Sequence, residues 1–402
     1  MKTYDITIVG AGIVGMATAY HLSQSCPELK VAIVEKEKQP AAHQTGHNSG
    51  VIHSGIYYKP GGSKALNCRR GYRYLLDFAQ QHNIPHEVCG KVIVATRDWE
   101  LPALQRIFET GQANGLEGIR MISAAECREI EPHVQAVQAI WVPQSGIIDY
   151  PAMTRKYLDI AQNQNATPYF GQAVQDIDLR ADGVYITTDE TELHSQLLIN
   201  CAGLYADKIA RMTMPEIDLQ ILPFRGEYYE LVPHRQHLVN NLIYPVPNPN
   251  FPFLGVHYTR MIHGGIEAGP NAVLAFSREG YSRWDVNWEE LMETLRYRGF
   301  QRIALRYWRD GLNELYRSYS KAAFVRALQH LIPEVGEADL QRGGAGVRAM
   351  AADPKGNLID DFLFLEKDRV INVCNAPSPA ATASLAIGET VAGKALKRFE
   401  HA

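Results

Sequence analysis

Residues 4–9 read Tyr4-Asp5-Ile6-Thr7-Ile8-Val9; Gly10-Ala11-Gly12-Ile13-Val14-Gly15 follows, then helical spacing from Met16 to Ser25, then Lys30-Val31-Ala32-Ile33-Val34-Glu35. A β-branched run, a glycine turn, a helix, a second apolar run and an acid succeed one another. Each part answers a physical demand. Gly10 permits a tight turn, Gly12 lets backbone approach a pyrophosphate, and Gly15 lets helix pack closely on strand. The helix N-terminus offers free N–H groups and the positive end of its dipole. Glu35, twenty residues after Gly15, is placed to accept the ribose hydroxyls of an adenosine. The stretch predicts a βαβ unit that holds a dinucleotide, against the plainer reading of a glycine-rich turn in an ordinary βαβ unit. NAD and FAD both fit it.

Around this unit the chain runs to 402 residues, 46% hydrophobic and 21% charged. That length suits two or three domains, and the balance excludes a disordered, collagenous or coiled-coil chain. Lys plus Arg number 40 against 44 Asp plus Glu, so the net charge of −4 offers no overall field for nucleic acid. Six cysteines, at 26, 68, 89, 127, 201 and 374, form no Cys-x-x-Cys pair. Their spacing suits neither a disulfide scaffold nor a zinc site, which points to a reducing compartment and no metal. The apolar stretch from Ile6 to Tyr20 superficially resembles a secretory signal, but Asp5 and the glycines explain it as the first βα unit. No window reaches the ~18–20 apolar residues of a spanning helix.

Two later segments favour FAD. Leu197-Leu198-Ile199-Asn200-Cys201-Ala202-Gly203 reads as a buried strand entering a glycine turn and a helix from Tyr205 to Met212. Val370-Ile371-Asn372-Val373-Cys374-Asn375 reads as another strand, and Ala376-Pro377-Ser378-Pro379-Ala380-Ala381-Thr382 leads into a helix ending near Arg398. A helix N-terminus suits the N1–C2=O edge of a reduced flavin, which carries negative charge; alternatively the proline-rich turn only caps a terminal helix. The expected fold class is α/β: a Rossmann-like FAD-binding domain of the glutathione-reductase or D-amino-acid-oxidase type with a mixed-sheet substrate domain. The expected FAD domain is discontinuous, at 1–85, 150–215 and 340–402, with the substrate domain at 86–149 and 216–339.

At Gly46-His47-Asn48-Ser49-Gly50-Val51-Ile52-His53-Ser54-Gly55-Ile56-Tyr57-Tyr58-Lys59-Pro60-Gly61 the chain resembles the flavoenzymes that oxidise L-2-hydroxyglutarate. These lie within the larger D-amino-acid-oxidase-like and glycerol-3-phosphate-dehydrogenase-like FAD family. The likeness runs nearly end to end and includes Asn200-Cys201-Ala202-Gly203, Pro223-Phe224-Arg225-Gly226-Glu227-Tyr228-Tyr229, Gly269-Pro270-Asn271-Ala272 and Gly343-Gly344-Ala345-Gly346-Val347-Arg348. It implies a non-covalent FAD and oxidation of L-2-hydroxyglutarate to 2-oxoglutarate. It also implies that Thr45, Gly46, His47, Asn48, Ser49, Gly50 and Val51 face the flavin, with His53 and Tyr57 near the substrate. Gly203, Gly346, Pro379, Ala380, Ala381 and Thr382 complete the expected cofactor set. Read from the residues alone, the glycines, Ser49 and Asn48 let backbone approach a planar ring, and His47 either touches the flavin or serves loop hydrogen bonding.

Oxidising a 2-hydroxy acid needs a neutral base at the hydroxyl and hydride transfer from the α-carbon to flavin N5. Gly226 to Val232 and Phe253 to Ile262 alternate as strands, and period two puts His257 and Thr259 on one face. His257 is the first choice of base and His53 the second. A carboxylate cannot be buried unpaired, so Arg348 in a glycine turn and Arg225 at a strand start are the expected anchors; the plainer role for either arginine is tying a domain interface. Pro245 to Pro252 reads as a loop beside the site, and Ala272 to Phe276 as a resumed strand.

From Trp288 to Ile332 the pattern is helical, with Arg296, Arg298, Arg302, Arg306, Arg309, Arg317, Lys321 and Arg326 interleaved with aromatic residues. This predicts a surface for anionic lipid, or else ordinary amphipathic helices or a subunit contact. The expected location is cytoplasmic, peripheral on the inner face of the cell membrane, with electrons passed to a quinone or to oxygen. The alternatives are an amino-acid or N-methyl-amine oxidase on the same fold, and a flavin-carrying scaffold without turnover.

Overall fold

The computed structural model describes residues 1–247 and 255–399. The strand Lys2–Val9 ends at Gly10, whose φ is +102° and where a Cβ would lie 2.5 Å from the Cys201 carbonyl oxygen. A Cβ on Gly15, in the helix Ile13–Ser25, would lie 2.1 Å from the Gly10 carbonyl oxygen. Both glycines are therefore required by close approach of backbone.

Lys2–Val9 pairs in parallel with Val31–Glu35 on one side and Glu192–Asn200 on the other. Ala166–Phe170 and Val370–Asn375 extend this eight-stranded sheet, also in parallel. Strands covered on both faces are apolar throughout, as the sequence Ile6-Thr7-Ile8-Val9 shows. The helices Ile13–Ser25, Ser63–Gln81, Tyr150–Gln162 and Ser384–Phe399 share a core on one face, around Ile6, Ile8, Met16, Leu75, Met153 and Leu385. A Cβ on Gly388 would lie 2.6 Å from the Ala17 backbone, so the last helix presses directly on the first. The hairpin of Val174–Arg180 with Gly183–Thr188 continues the sheet antiparallel from Glu192–Asn200, and the helix Ala206–Thr213 packs on the other face, where Ile177, Val184 and Ile209 share a core with Val9 and Val34.

A second sheet of nine strands is mixed. Its order runs Val273–Leu274, Gln220–Leu231, Ile266–Gly269, His257–Arg260, Leu242–Pro245, Lys91–Ala95, Gln138–Val142 and Arg120–Ser123, with Leu340–Ala352 paired along Gln220–Leu231. Leu242–Pro245 and Lys91–Ala95 are parallel, and their other pairings are antiparallel. The helix Lys321–Leu328 packs behind this sheet through Phe324, Val325 and Leu328.

Four local expectations are corrected. Gly343 to Arg348 is no turn but the middle of the strand Leu340–Ala352, which joins the second sheet instead of the FAD-side segment at 340–402. The glycines serve close approach: a Cβ on Gly346 would lie 2.3 Å from the His47 carbonyl oxygen. Arg225 sits inside the strand Gln220–Leu231, not at its start. The resumed strand spans only Val273–Leu274. The described part of the strand expected from Phe253 is His257–Arg260; Phe253 and Leu254, and the loop residues 248–252, lie outside the described residues.

A buried ion pair clips the two bodies together. Arg278, 2% exposed, donates from Nη2 to Asp207 Oδ2 at 2.9 Å and from Nη1 to Leu204 O at 2.6 Å. Asp207 Oδ2 also accepts from the Ile221 N–H at 3.1 Å. Asp207→Ala leaves the buried guanidinium with only the longer 3.7 Å contact to Glu293 as counter-charge, and urea unfolding should show a loss approaching the ~3–5 kcal/mol of a broken buried pair.

Candidate active site

The first helix begins after Gly12 with no side-chain cap, so its leading N–H groups stay open toward the turn. Thr45 Oγ1 accepts from the Ile13 N–H at 3.0 Å and brings the 45–51 loop beside the helix end. A Cβ on Gly12 would meet only that oxygen, at 3.6 Å, so space is kept where a pyrophosphate needs it. Glu35 is held at the end of its strand: Oε2 accepts from the Ala11 N–H at 2.7 Å and Oε1 from the Glu37 N–H at 2.9 Å. Its remaining lone pairs suit ribose hydroxyls. These features, with Gly203 at φ +54°, fit the adenosine diphosphate half of FAD.

Further along, Asn48 builds its own loop. Its Nδ2 donates to Gln44 O at 2.9 Å and Thr45 O at 2.7 Å, and its Oδ1 accepts from the Gly50 N–H at 2.9 Å. Gly50 has φ +67°, and a Cβ on Gly46 would lie 2.5 Å from Ala41 O. Ser49 and Val51 sit on the same stretch, Val51 buried against Ile147. His47 makes a hydrogen bond within the protein: Nδ1–H donates to Ala345 O at 3.1 Å, and the ring stacks on Tyr281 at 4.0 Å.

The turn Pro379-Ala380-Ala381-Thr382 is anchored from behind. The Thr382 hydroxyl accepts from the His53 N–H at 3.1 Å and meets the Tyr150 hydroxyl at 2.8 Å, while Tyr150 donates to Val51 O at 2.9 Å. The N–H groups of Ala381 and Thr382 have no hydrogen-bond partner among the described residues. Two free amides ahead of a helix suit the anionic edge of a flavin.

The second sheet turns one face to this region. Val92, Ile243, Tyr258 and Ala268 point into the core behind, so alternation puts Lys91, Tyr244, His257, Thr259 and Glu267 on the opposite face. Tyr244 and Leu242 pack on Val51, which joins that face to the loop. His257 is buried; its Nδ1–H donates to Gly255 O at 2.9 Å, which leaves the Nε2 lone pair free. Burial, with Arg348 and Lys91 nearby, lowers its pKa to about 4, so the ring is neutral at neutral pH. His53 comes from the cofactor side, with Nε2 at 3.3 Å from Ser378 Oγ. Burial and the charge of Lys91 press its pKa to about 3.

The Arg348 guanidinium makes no hydrogen bond or ion pair among the described residues, and its charge acts on His257, Tyr228, Tyr244 and the Glu314 carboxylate. Arg225 is corrected as a substrate anchor. It donates to Ser282 O at 2.9 Å and to Glu227 Oε1 at 3.1 Å, inside a network that also takes in Arg283 and Ser318. These partners are those of an arginine tying neighbouring segments together. The Tyr57 hydroxyl is buried with no hydrogen-bond partner among the described residues, and burial raises its pKa well above the ordinary value.

Sequence reasoning passed over Lys91, Tyr244 and Glu267. Lys91 had a signal: a cation heading the otherwise apolar run Val92-Ile93-Val94-Ala95. Glu267 lies across from Thr259, and burial beside Glu230 lifts its pKa to about 7.

The model of the FAD dependent oxidoreductase family, DAO, matches residues 5–394. The chain belongs to this family. The oxidoreductase is 53% identical over 397 residues to the L-2-hydroxyglutarate dehydrogenase of Indibacter alkaliphilus, covering 98% of this chain and 100% of that one. It is 44% identical over 392 residues to the L-2-hydroxyglutarate dehydrogenase of Escherichia coli K12, covering 97% and 93%. Its fold matches the dithionite-reduced L-alpha-glycerophosphate oxidase of Mycoplasma pneumoniae with FAD bound, at TM-score 0.81 and 25% identity, over 99% of this chain and 95% of that one. The glycine oxidase of Geobacillus kaustophilus shares the fold at TM-score 0.72 and 16% identity, over 99% and 96%.

Two glycine variants separate holding FAD from folding. Gly12→Val fills the space beside Thr45, so the purified oxidoreductase should lose most of its flavin absorbance with an unchanged far-ultraviolet dichroism spectrum. Gly15→Ala drives a methyl into the Gly10 backbone and should lower the melting temperature itself.

Proposed function

We propose that this enzyme oxidises L-2-hydroxyglutarate to 2-oxoglutarate with a non-covalent FAD. The observation that carries the chemistry is a neutral, buried His257 with a free Nε2 beside the unpaired guanidinium of Arg348. Near-full-length identity to two L-2-hydroxyglutarate dehydrogenases supports the substrate. FAD, when bound, supplies the two-electron acceptor for hydride from the α-carbon. Arg348 takes the α-carboxylate through its planar fork and so aims the hydroxyl at the base. His257 Nε2 receives the hydroxyl proton, while Gly255 O holds the other nitrogen as N–H and prevents a tautomer switch. His53, tied to Ser378 and Thr382, stands on the opposite side as the alternative base. Tyr57 and Thr259 line the same space, and Tyr57 has a hydroxyl to give. The 45–51 loop contains no cysteine, and the His47 and His53 rings are each hydrogen-bonded within the protein, which supports an unlinked flavin.

Anaerobic titration tests this reading. L-2-hydroxyglutarate should bleach the flavin; bleaching by amino acids or N-methyl amines instead would favour the amine-oxidase alternative, and no response to either would favour the scaffold. His257→Ala should slow reduction ~10²–10⁴-fold with FAD retained. Because burial holds the His257 pKa near 4, the rate ascribed to this base should stay level from neutral pH down and fall as pH passes through about 4, where Nε2 takes a proton.

We further propose that the enzyme docks on anionic membrane surfaces and passes electrons to a lipid-soluble quinone. No helix among the described residues is long and apolar enough to cross a membrane, so docking is peripheral. The helix Arg298–Tyr319 supports it. Leu305, Trp308, Leu312, Tyr316 and Tyr319 form a solvent-facing stripe, with Leu305 78% exposed. Exposed Arg298, Arg306 and Arg309 flank that stripe, and Trp288 of the neighbouring helix Trp288–Arg296 lies open as well. Apolar residues rimmed by arginine complement an anionic interface, each charge adding ~1 kcal/mol near the surface. Arg302 and Arg317 contribute less, since they bond Pro354 O and Glu314. The enzyme should float with phosphatidylserine vesicles, and changing Arg298, Arg306 and Arg309 to Glu should abolish flotation without lowering FAD content.

A further inference from the structure

Lys91 begins the strand Lys91–Ala95 and is 1% exposed. Lysine is almost never fully buried unless paired, because its stem normally lets the ammonium reach water. Here the ammonium makes no hydrogen bond or ion pair among the described residues. It stands 4.9 Å from the Tyr57 ring centre and 4.6 Å from the Tyr244 ring centre, and these faces favour its charged form. No carboxylate among the described residues contributes to its electrostatic surroundings; burial lowers its pKa to about 7, with Cys68 opposing, so an anion brought beside it would hold it in the charged form.

The Tyr244 ring that the ammonium faces also packs on the His257 ring at 4.2 Å, which sets Lys91 beside the base, and its charge acts on both His53 and His257. In the sheet order His257–Arg260 lies between the strand of Lys91 and the strand of Arg348. The strand of the base thus lies between the strands that carry Lys91 and Arg348, both charges act on His257, and Arg348 is the one assigned above to the α-carboxylate. We propose that Lys91 receives the second, distal carboxylate of the substrate and sets the preference for dicarboxylic over monocarboxylic 2-hydroxy acids. The proposal rests on the substrate class inferred above. A monocarboxylic 2-hydroxy acid would leave this cation buried and unpaired, whereas a distal carboxylate satisfies it.

The test compares the holoenzyme with Lys91→Met, which keeps side-chain length, and Lys91→Arg, which keeps the charge. Flavin reduction is followed with L-2-hydroxyglutarate and with L-2-hydroxyvalerate, which has the same five-carbon chain and no distal carboxylate. Lys91→Met should raise KM for L-2-hydroxyglutarate on the order of 10²–10³-fold, the loss expected when one partner of a buried ion pair is removed. Its limiting rate and its kcat/KM for L-2-hydroxyvalerate should change little. Binding of 2-oxoglutarate, read from the flavin absorbance shift, should weaken in parallel, and Lys91→Arg should recover part of both. An equal loss on the two substrates, a loss confined to the limiting rate, or no loss in either variant would overturn the assignment. Should Lys91→Met lose FAD or melt early, Lys91→Arg decides alone: substrate discrimination kept supports the role, and discrimination lost refutes it. Failure of L-2-hydroxyglutarate to reduce the unmodified holoenzyme would overturn the substrate reading and this proposal with it. A reduced holoenzyme with an indifferent Lys91→Met variant would sink the Lys91 role alone.

Discussion

The contact of the Gly10 turn with the Cys201 carbonyl, too close for any side chain between them, is the constraint from which the rest of the architecture follows. It locks the end of the first strand to the end of Glu192–Asn200 and lets the first helix start at the sheet edge with its N–H groups open. The last helix then seats on the first through Gly388 and Ala17. Two helix ends, from opposite extremes of the chain, are thereby held in one rigid relation. In the proposed placement the adenosine end of FAD would meet one and the ring end the other, so the cofactor would read a spacing set by backbone packing.

Over that frame the second sheet works as a two-sided plate. Its rear face is apolar and glued to Lys321–Leu328; its front face carries ionisable groups with few partners of their own. Burial then decides protonation. His257 and His53 are held neutral, and Glu267 is shifted toward its protonated form. What charge that face offers is cationic, at Arg348 and at Lys91, whose pKa burial lowers to about 7 and whose charged form an anion would favour.

The fold was largely legible because its signals are local. A β-branched run, a glycine turn and an acid twenty residues on need only their neighbours to be understood, and the strands at 197–200 and 370–375 show the same buried pattern. The active-site face was legible only in part. Alternation placed His257 and Thr259 together correctly, since period two is also local. What alternation cannot say is who meets a side chain from elsewhere in the chain. Arg225 and Arg348 look alike in sequence, yet the first is satisfied by Glu227 and Ser282 while the second is left open. The Gly343 to Gly346 run was misread as a turn because glycine also serves where another backbone passes close, here that of His47. Lys91 went unnoticed because its meaning lies in the absence of a counter-charge, which only tertiary structure reveals.

The pressing of Gly388 on Ala17 also bears on how the protein comes into being. The first βαβ unit leaves the ribosome long before Val370–Asn375 and Ser384–Phe399, which complete its sheet and cover its helix. Local helices and hairpins form in microseconds, whereas contacts spanning nearly the whole chain must wait for synthesis at ~5–20 residues per second. For tens of seconds the Ile6, Ile8 and Met16 surface therefore has no permanent cover, and a nascent chain in that condition is a natural client for chaperones. The geometry that makes the finished cofactor cradle rigid also makes it one of the last parts of the molecule to mature.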